Sequence, residues 1–286
     1  MNAGSAVALL SGALDGEYQV VGPLAGGETG ATEVRSADGR RHVLEWELDP
    51  GNQGRRREGA RLAERLRVSA LWPAPRQQVI DVGECLLVLQ EFMSGTDVGH
   101  ISHGLADRLF ELHDARLGLA AAGDQSRWAQ DLIEVLVEGG NGYCLHQPLR
   151  DFDARTRQVV ERIEEIGRSL RTDELGGHDI VHGDLHPGNL LQVDGQLTAV
   201  VDLDYTRVGD AEFDLTILAL GSLGVRVDPG VRSRLFERGV HTLSAAKRRA
   251  YVANLLLRNL DWPIRKNRPS DIEFWLTQAD RLLPAE

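Results

Sequence analysis

Short runs of alternating apolar and polar residues dominate the first third of the chain and predict β-strands. The predicted strands cover residues 18–24, 32–36, 41–48, 77–82 and 85–92, and glycine-containing turns at residues 37–39 and 83 join the closely spaced ones. Apolar residues at helical spacing, with arginines on the opposite face, predict one helix over residues 55–68. The N-terminal part is therefore expected to be a β-sheet with one helix.

The remainder of the chain has mostly helical periodicity. Apolar positions recur at helical spacing from residue 104 onward, and predicted helices cover residues 105–119, 152–170, 213–223, 230–244, 246–262 and 270–283. One exception interrupts them: apolar runs at 190–193 and 197–203 flank the turn Asp194-Gly195-Gln196, which predicts a β-hairpin. The overall prediction is an α+β fold.

Polar side chains concentrate at one end of this predicted hairpin. Asp184 and Asn189 precede its first strand, and Asp202 lies at the end of its second. The hairpin is expected to bring the three together. One carboxylate that accepts a hydroxyl proton, together with an amide and a carboxylate that hold Mg²⁺, is the set that transfer of a γ-phosphoryl group requires.

The same residues resemble a known family. His182-Gly183-Asp184, followed five residues later by Asn189, resembles the catalytic loop of the aminoglycoside phosphotransferase and choline kinase-like family of small-molecule kinases. Asp202 stands where that family has its principal metal-binding aspartate, and residues 209–215 resemble its GDP-x-x-DL segment. The resemblance spans most of the chain and is sharpest in this block.

The resemblance implies a two-lobed protein-kinase-like fold, with a nucleotide-binding lobe over residues 1–93 and a mainly helical catalytic and substrate-binding lobe over 94–286. Asp184 would be the catalytic base, and Asn189 and Asp202 would hold Mg²⁺. ATP, or GTP, would be the phosphoryl donor. The implied nucleotide contacts are Gly26, Gly27 and Gly30 over the phosphates, and the backbone of Glu91 and Met93 at the base. His182, Asp210 and Asp214 would support the structure of the site.

One position departs from the family pattern. Kinase-like folds usually have a lysine on the third strand, paired with a glutamate on the next helix, but here Glu45 stands at the expected position and the only lysines are Lys247 and Lys266. Glu58 is the candidate for the helix glutamate. The missing cation could come from several arginines, namely Arg41, Arg55, Arg56, Arg57 or Arg61. Without one, the anchoring of the nucleotide phosphates would be weak. Glu45 therefore keeps a pseudokinase-type binding module as an alternative.

The net charge of the chain limits the kinds of molecule that it is expected to bind. A net charge of −11 argues against binding along a nucleic-acid backbone, which needs a positive surface, and is compatible with a cationic small-molecule substrate. Asp204 could assist the metal or bind such a substrate, and the alternative is a solvated surface carboxylate. The resemblance points to inactivation of a basic antibiotic, an aminoglycoside or a cyclic peptide of the capreomycin or viomycin type. A choline- or sugar-like metabolite remains the alternative.

Other sequence features indicate no membrane segment, and the expected location is cytoplasmic. No apolar stretch approaches the length of a membrane span, and the first residues lack the pattern of a signal peptide. Cys85 precedes an apolar run and is expected to be a buried, reduced thiol. The spacing His182-x-Asp184-x-His186 would also allow a zinc or iron site, although the surrounding residues favour magnesium. The oligomeric state is not predicted.

Overall fold

The structure is a computed structural model that describes residues 1–24, 31–70 and 72–283. These residues form two compact units. The first unit comprises residues 1–119 and 182–207, and the second comprises residues 120–181 and those from 208 onward. The predicted hairpin thus belongs to the same unit as the N-terminal sheet. The lobe boundary at residues 93 and 94 stays a prediction.

The first unit contains the predicted five-stranded antiparallel sheet. Its strands are β1 (Tyr18–Pro23), β2 (Thr32–Ser36), β3 (Arg41–Glu47), β4 (Gln77–Val82) and β5 (Cys85–Glu91), in the spatial order β1-β2-β3-β5-β4. Leu44 of β3 lies between Thr32 of β2 and Leu89 of β5. Inward-facing side chains of these strands, among them Val34, Leu44 and Leu87, form one apolar core.

Two helices accompany this sheet, one more than the sequence pattern predicted. Helix α1 (Ala3–Leu14) inserts Ala6, Val7 and Leu10 into the core of the sheet. Helix α2 (Pro50–Ser69) begins five residues before its predicted start, because Asp49 accepts a hydrogen bond from the backbone of Gly51 and proline at the first position favours initiation. Cys85 is buried and forms no disulfide, as predicted.

The hairpin forms a second, smaller sheet in the first unit. Strand β6 (Thr96–Asp97) pairs with β9 (Leu190–Val193), which pairs with β10 (Gln196–Val200). The turn between β9 and β10 has positive φ at Asp194 and Gly195, the geometry that suits a two-residue hairpin loop. The first unit also contains strand β7 (His100–Ile101), helix α3 (His103–Asp114) and a short 3-10 helix (Pro187–Asn189).

The second unit is mostly helical, as predicted. It contains α4 (Trp128–Glu138), α5 (His146–Phe152), α6 (Ala154–Ser169), α7 (Glu212–Gly221), α8 (Val231–Phe236), α9 (Ala245–Arg265) and α10 (Pro269–Leu282), with short strands β8 (Asp179–Val181), β11 (Arg207–Gly209) and β12 (Arg226–Val227). Strand β11 begins at the last residue of the first unit. Among the described residues no helix is long and apolar enough to cross a membrane.

Several helix predictions differ from the structure in the ends or the type of the helix. The predicted helix over 152–170 begins at Ala154, because Asp153 forms a reciprocal capping box with Thr156. The predicted helix over 230–244 changes to a π-helical turn at Glu237–His241. Helix α3 ends at Asp114, so the apolar residues near 117–119 lie beyond it.

Candidate active site

The loop that precedes β9 holds its shape through a fully buried histidine and a glycine. His182 has no exposed surface, and Gly183 adopts a positive φ of 82°. A Cβ atom at Gly183 would lie 2.9 Å from the backbone oxygen of Tyr205. Glycine is therefore required at this position both for its backbone conformation and for the close approach of the neighbouring chain.

A closed circuit of hydrogen bonds joins this loop to the hairpin. The backbone N–H of Asp184 donates to His182 Nδ1 (3.1 Å), and His182 Nε2 lies 3.0 Å from the carbonyl oxygen of Val201. The backbone N–H of Val201 donates to the carbonyl of Asn189 (2.9 Å), and Asn189 Nδ2 donates back to the carbonyl of Asp184 (2.9 Å). Since Nδ1 accepts, Nε2 carries the proton, and the ring is a fixed bridge between the two segments.

This circuit places the predicted catalytic carboxylate and amide side by side. Asn189 Nδ2 also lies 3.2 Å from Asp184 Oδ2, so the amide of Asn189 turns its nitrogen toward Asp184. His186 Nε2 lies 3.7 Å from the same carboxylate oxygen. The Asp184 side chain keeps 16% of its surface exposed, enough to meet an external hydroxyl group.

Asp202 follows the circuit directly along the chain. It is exposed and has a left-handed backbone with φ of 60°, which ends strand β10 before the predicted boundary at residue 203. The backbone N–H of Val201 donates to the carbonyl of Asn189. Asp202, the next residue, therefore directly follows a residue that is hydrogen-bonded to Asn189. Carboxylate and amide oxygens suit Mg²⁺, which commonly takes one or two protein ligands and completes its shell with water and phosphate. The residues present therefore fit a magnesium ion.

The alternative zinc or iron site is not supported. Both ring nitrogens of His182 face backbone partners within the circuit, and His186 Nδ1 accepts a hydrogen bond from the backbone of Gly188. Across the part of the chain that the structure describes, no group of three or more His, Cys, Asp or Glu side chains could hold a metal ion. The His-x-Asp-x-His spacing thus serves the conformation of the loop.

A tryptophan that the sequence analysis did not assign to the site supports this circuit. The ring of Trp72 is buried and stacks on His182, with centroids 6.3 Å apart and planes inclined by 29°. Its indole N–H donates to the carbonyl of Leu112 (2.9 Å), and the next residue, Pro73, accepts from the backbone N–H of Val200 (2.8 Å). The segment at 72–73 therefore contacts both sides of the circuit, and nothing in local sequence spacing signals that contact.

The position expected to hold the strand lysine is part of an ion-pair cluster. Glu45 Oε2 of β3 lies 3.1 Å from Arg56 Nη1 of α2, and the side-chain amide of Gln90 donates to the same oxygen (3.0 Å). Arg56 Nη2 is 2.7 Å from Asp204 Oδ2, and its Nε is 3.8 Å from Glu47. Arg56 is 8% exposed, and Asp204 is therefore a paired, largely buried carboxylate rather than a solvated surface group.

This cluster shifts the protonation of its carboxylates. Burial raises the pKa of Glu45 to about 7, and the charge of Asp204 adds to the increase while Arg56 and Gln90 oppose it. Burial also raises the pKa of Asp204 above its usual range, although the positive charge of Arg56 opposes this increase. Burial thus opposes the charged form of both carboxylates, and the guanidinium that they share favours it.

The remaining nucleotide-site predictions are only partly placed. Gly26, Gly27 and Gly30 lie outside the described residues. Glu91 is the last residue of β5, and Met93 follows it in the segment leading to β6. The carbonyl of Ser94 accepts a hydrogen bond from the hydroxyl of Thr198 in β10 (3.2 Å), so this segment is attached to the catalytic hairpin.

Asp210 and Asp214 both lie in the second unit. Asp210 is buried, accepts from the hydroxyl of Tyr251 (2.5 Å), and is paired with Lys247 Nζ (2.6 Å). Its Oδ1 also accepts from the backbone N–H of Glu212, the first residue of α7 (3.0 Å). Asp214 is fully buried within α7. These contacts suit the structural-support role predicted for Asp210.

Three solved structures with the same fold are two antibiotic phosphotransferases and a protein described as a kinase. Aminoglycoside phosphotransferase APH(4)-Ia is 20% identical, with a TM-score of 0.66 over 100% of both chains. A macrolide 2'-phosphotransferase type I is 14% identical, with a TM-score of 0.59 over 96% of both chains. A Thermobifida fusca protein described as a fructosamine-3-kinase is 17% identical, with a TM-score of 0.59 over 99% of this chain and 100% of its own. At these identities the likeness shows the fold, and the predicted kinase-like α+β fold is confirmed.

Sequence comparison identifies the family. No curated protein sequence gives a significant match to the chain. The sequence profile of the phosphotransferase enzyme family, however, matches residues 42–251, which include β3 except its first residue, the loop before β9, and the hairpin. This match extends over well more than half of the 286 residues and confirms the predicted family resemblance and the prediction of a small-molecule phosphotransferase. The chain therefore belongs to the phosphotransferase enzyme family.

Proposed function

We propose that this chain transfers the γ-phosphoryl group of ATP to a hydroxyl group of a small molecule, most specifically a basic antibiotic that it thereby inactivates. The observation that carries the proposal is the closed hydrogen-bond circuit, which holds Asp184 beside Asn189 and bonds Asn189 to Val201, the residue before Asp202. Membership of the phosphotransferase enzyme family supports it. A thermostable mutant of APH(4)-Ia, solved with ADP and hygromycin B, supports ATP as the donor.

In this reaction Asp184 accepts the proton of the acceptor hydroxyl and orients its oxygen toward the γ-phosphorus. A bond forms between that oxygen and phosphorus while the bond from phosphorus to the bridging oxygen of ADP breaks. The products are a phosphate monoester and ADP. A magnesium ion held by Asn189 and Asp202 would neutralise charge on the phosphates. The fixed orientation of Asp184 supplies the positioning that such a transfer needs.

The acidic balance of the chain supports a cationic acceptor, since a net charge of −11 favours the approach of positively charged molecules. Aminoglycosides and basic cyclic peptides of the capreomycin or viomycin type are the two antibiotic classes that we propose. A second candidate is a metabolic kinase, and the shared fold of the Thermobifida fusca protein described as a fructosamine-3-kinase supports it. A sugar-like or choline-like acceptor would then replace the antibiotic.

The test measures ADP production from MgATP with a panel of aminoglycosides, basic cyclic peptides, macrolides, choline and sugar-amine adducts. Wild-type protein is compared with Asp184→Asn and with Asp194→Asn, a matched control in the exposed hairpin turn. We expect turnover with a basic antibiotic, loss of turnover in Asp184→Asn, and wild-type rates in Asp194→Asn. Turnover with a metabolite alone would favour the metabolic kinase. Binding of MgATP without turnover of any acceptor would favour a pseudokinase-type binding module.

A further inference from the structure

The ion pair between β3 and α2 has the opposite polarity to the pair found in kinase-like enzymes. In those enzymes the strand supplies a lysine and the following helix a glutamate. Here the strand supplies the carboxylate of Glu45 and the helix supplies the guanidinium of Arg56, 3.1 Å apart. The same two elements are joined, and only the charges have changed places.

We propose that Arg56 is the cation that contacts the nucleotide phosphates, reaching them from helix α2 instead of from strand β3. This inference rests on the proposed function, because it requires that the chain binds ATP. Glu45 then has the role that the helix glutamate has elsewhere, namely to hold the cation in place. Glu45, at the position where the family usually has a lysine, therefore reflects a rearranged nucleotide site and not the loss of nucleotide binding.

The face of α2 that carries Arg56 packs against the segment that follows Asp202. Gly59, one turn after Arg56, lies so close to this segment that a Cβ atom there would be 3.3 Å from the carbonyl oxygen of Thr206. Ala63, one further turn along, packs against Leu203. These contacts place the guanidinium beside Asp204, two residues beyond the predicted metal ligand Asp202. A phosphate bound near that metal would therefore lie near Arg56.

The chemistry of arginine suits this role. The guanidinium group keeps its charge when buried and has five N–H donors in a planar fork. Glu45 and Asp204 each engage one terminal nitrogen, and each of these nitrogens carries a second N–H. With Glu47, three carboxylates surround this one cation. Removal of the positive charge would leave an anionic phosphate facing those carboxylates alone.

The other arginines that the sequence left as candidates are directed to different partners within the described residues. Arg41 contacts Glu33, Arg55 lies over the ring of Tyr205, Arg57 contacts Asp81, and Arg61 contacts Glu58. Glu58, the candidate for the helix glutamate, therefore pairs along its own helix and not with β3. Both lysines belong to the second unit, where Lys247 pairs with Asp210.

The first test compares Arg56→Gln with Arg57→Gln, its neighbour on the exposed side of the same helix. We expect the Kd for MgATP and the KM for ATP to rise at least about tenfold in Arg56→Gln, as loss of a hydrogen bond to a charged group predicts. The KM for the acceptor should change little, and Arg57→Gln should match wild type. Arg56→Lys keeps the charge and should bind ATP more tightly than Arg56→Gln.

The second test restores the usual polarity with the double substitution Glu45→Lys and Arg56→Glu. Arg56→Glu alone places an additional carboxylate in the cluster and should abolish ATP binding, whereas the double variant should recover it. The inference is overturned if Arg56→Gln binds MgATP within about twofold of wild type, or if the double variant binds no better than Arg56→Glu. Failure of the wild-type protein to bind MgATP would overturn the proposed function as well.

Discussion

The buried carboxylate of Glu45 should make the stability of the protein depend on pH, whether or not a substrate is bound. Its side chain is 13% exposed, and burial with the nearby charge of Asp204 raises its pKa from 4.5 to about 7. In the unfolded chain the same group loses its proton near 4.5. Between these values the folded protein binds a proton that the unfolded chain has released, so the free energy of unfolding falls as the pH rises.

The substitution Glu45→Gln removes this ionisation and keeps the size of the side chain. The difference between a pKa of 4.5 and one of about 7 corresponds to about 3 kcal/mol. Gln at this position can still accept hydrogen bonds through its oxygen, and Arg56 keeps its contact with Asp204. We therefore expect Glu45→Gln to be more stable than wild type by up to about 3 kcal/mol above pH 7, and equally stable near pH 4.

Urea unfolding of both proteins, followed by circular dichroism between about pH 4 and about pH 8.5, measures this difference. A suitable control is Glu33→Gln, since the hydrogen bond from Arg41 lowers the pKa of Glu33 despite some opposition from burial. That variant should be less stable than wild type at neutral pH and should match it in acid. A gain in Glu45→Gln that does not change with pH, or a loss of stability at pH 8, would refute the reasoning.

Three further substitutions test the circuit around Asp184. His182→Ala leaves two partly buried backbone groups without their side-chain partner, so we expect a loss of about 2–4 kcal/mol in unfolding free energy and a large fall in kcat, measured by urea unfolding and ADP production. Trp72→Leu removes the ring stacked on His182 and the bond to Leu112, and should lower kcat far more than it raises the KM for ATP. Gly183→Ala should cost about 1–3 kcal/mol and turnover because of its positive φ and the contact with Tyr205. Gly195→Ala, with positive φ but open space around it, should cost about 1 kcal/mol or less and leave turnover intact.

The parts of the site that local sequence predicted are those that adjacent residues determine. The hairpin turn fixes how β9 and β10 pair, and five residues separate Asp184 from Asn189, so their proximity follows from short-range geometry. The end of β10 was predicted three residues late, because apolar residues continue past Val200, whereas Asp202 has a left-handed backbone conformation that does not continue a strand.

The contacts that sequence reasoning missed join residues that are distant along the chain. Trp72 stacks on His182 across more than one hundred residues, and no periodicity encodes such a contact. The choice of Arg56 among neighbouring arginines depends on which face of α2 meets β3. The periodicity of an arginine-rich helix does not show which arginine lies on that face. The small residues Gly59 and Ala63 lie on the packed face of α2, and the structure shows why small residues are needed there. Helix α1 was not predicted, because the first residues were considered only as a possible signal peptide.

In the proposed reaction, Asp184 orients the acceptor hydroxyl toward the γ-phosphoryl group of ATP. The most direct measurement follows label from γ-phosphate-labelled ATP into the acceptor identified by the panel, for wild type and for Asp184→Asn, with the MgATP-dependent rise in Tm recorded for both. The account predicts label in the acceptor with wild type only, and a rise in Tm with both proteins. Equal transfer of label by Asp184→Asn, or no transfer by a wild-type protein that binds MgATP, would contradict it.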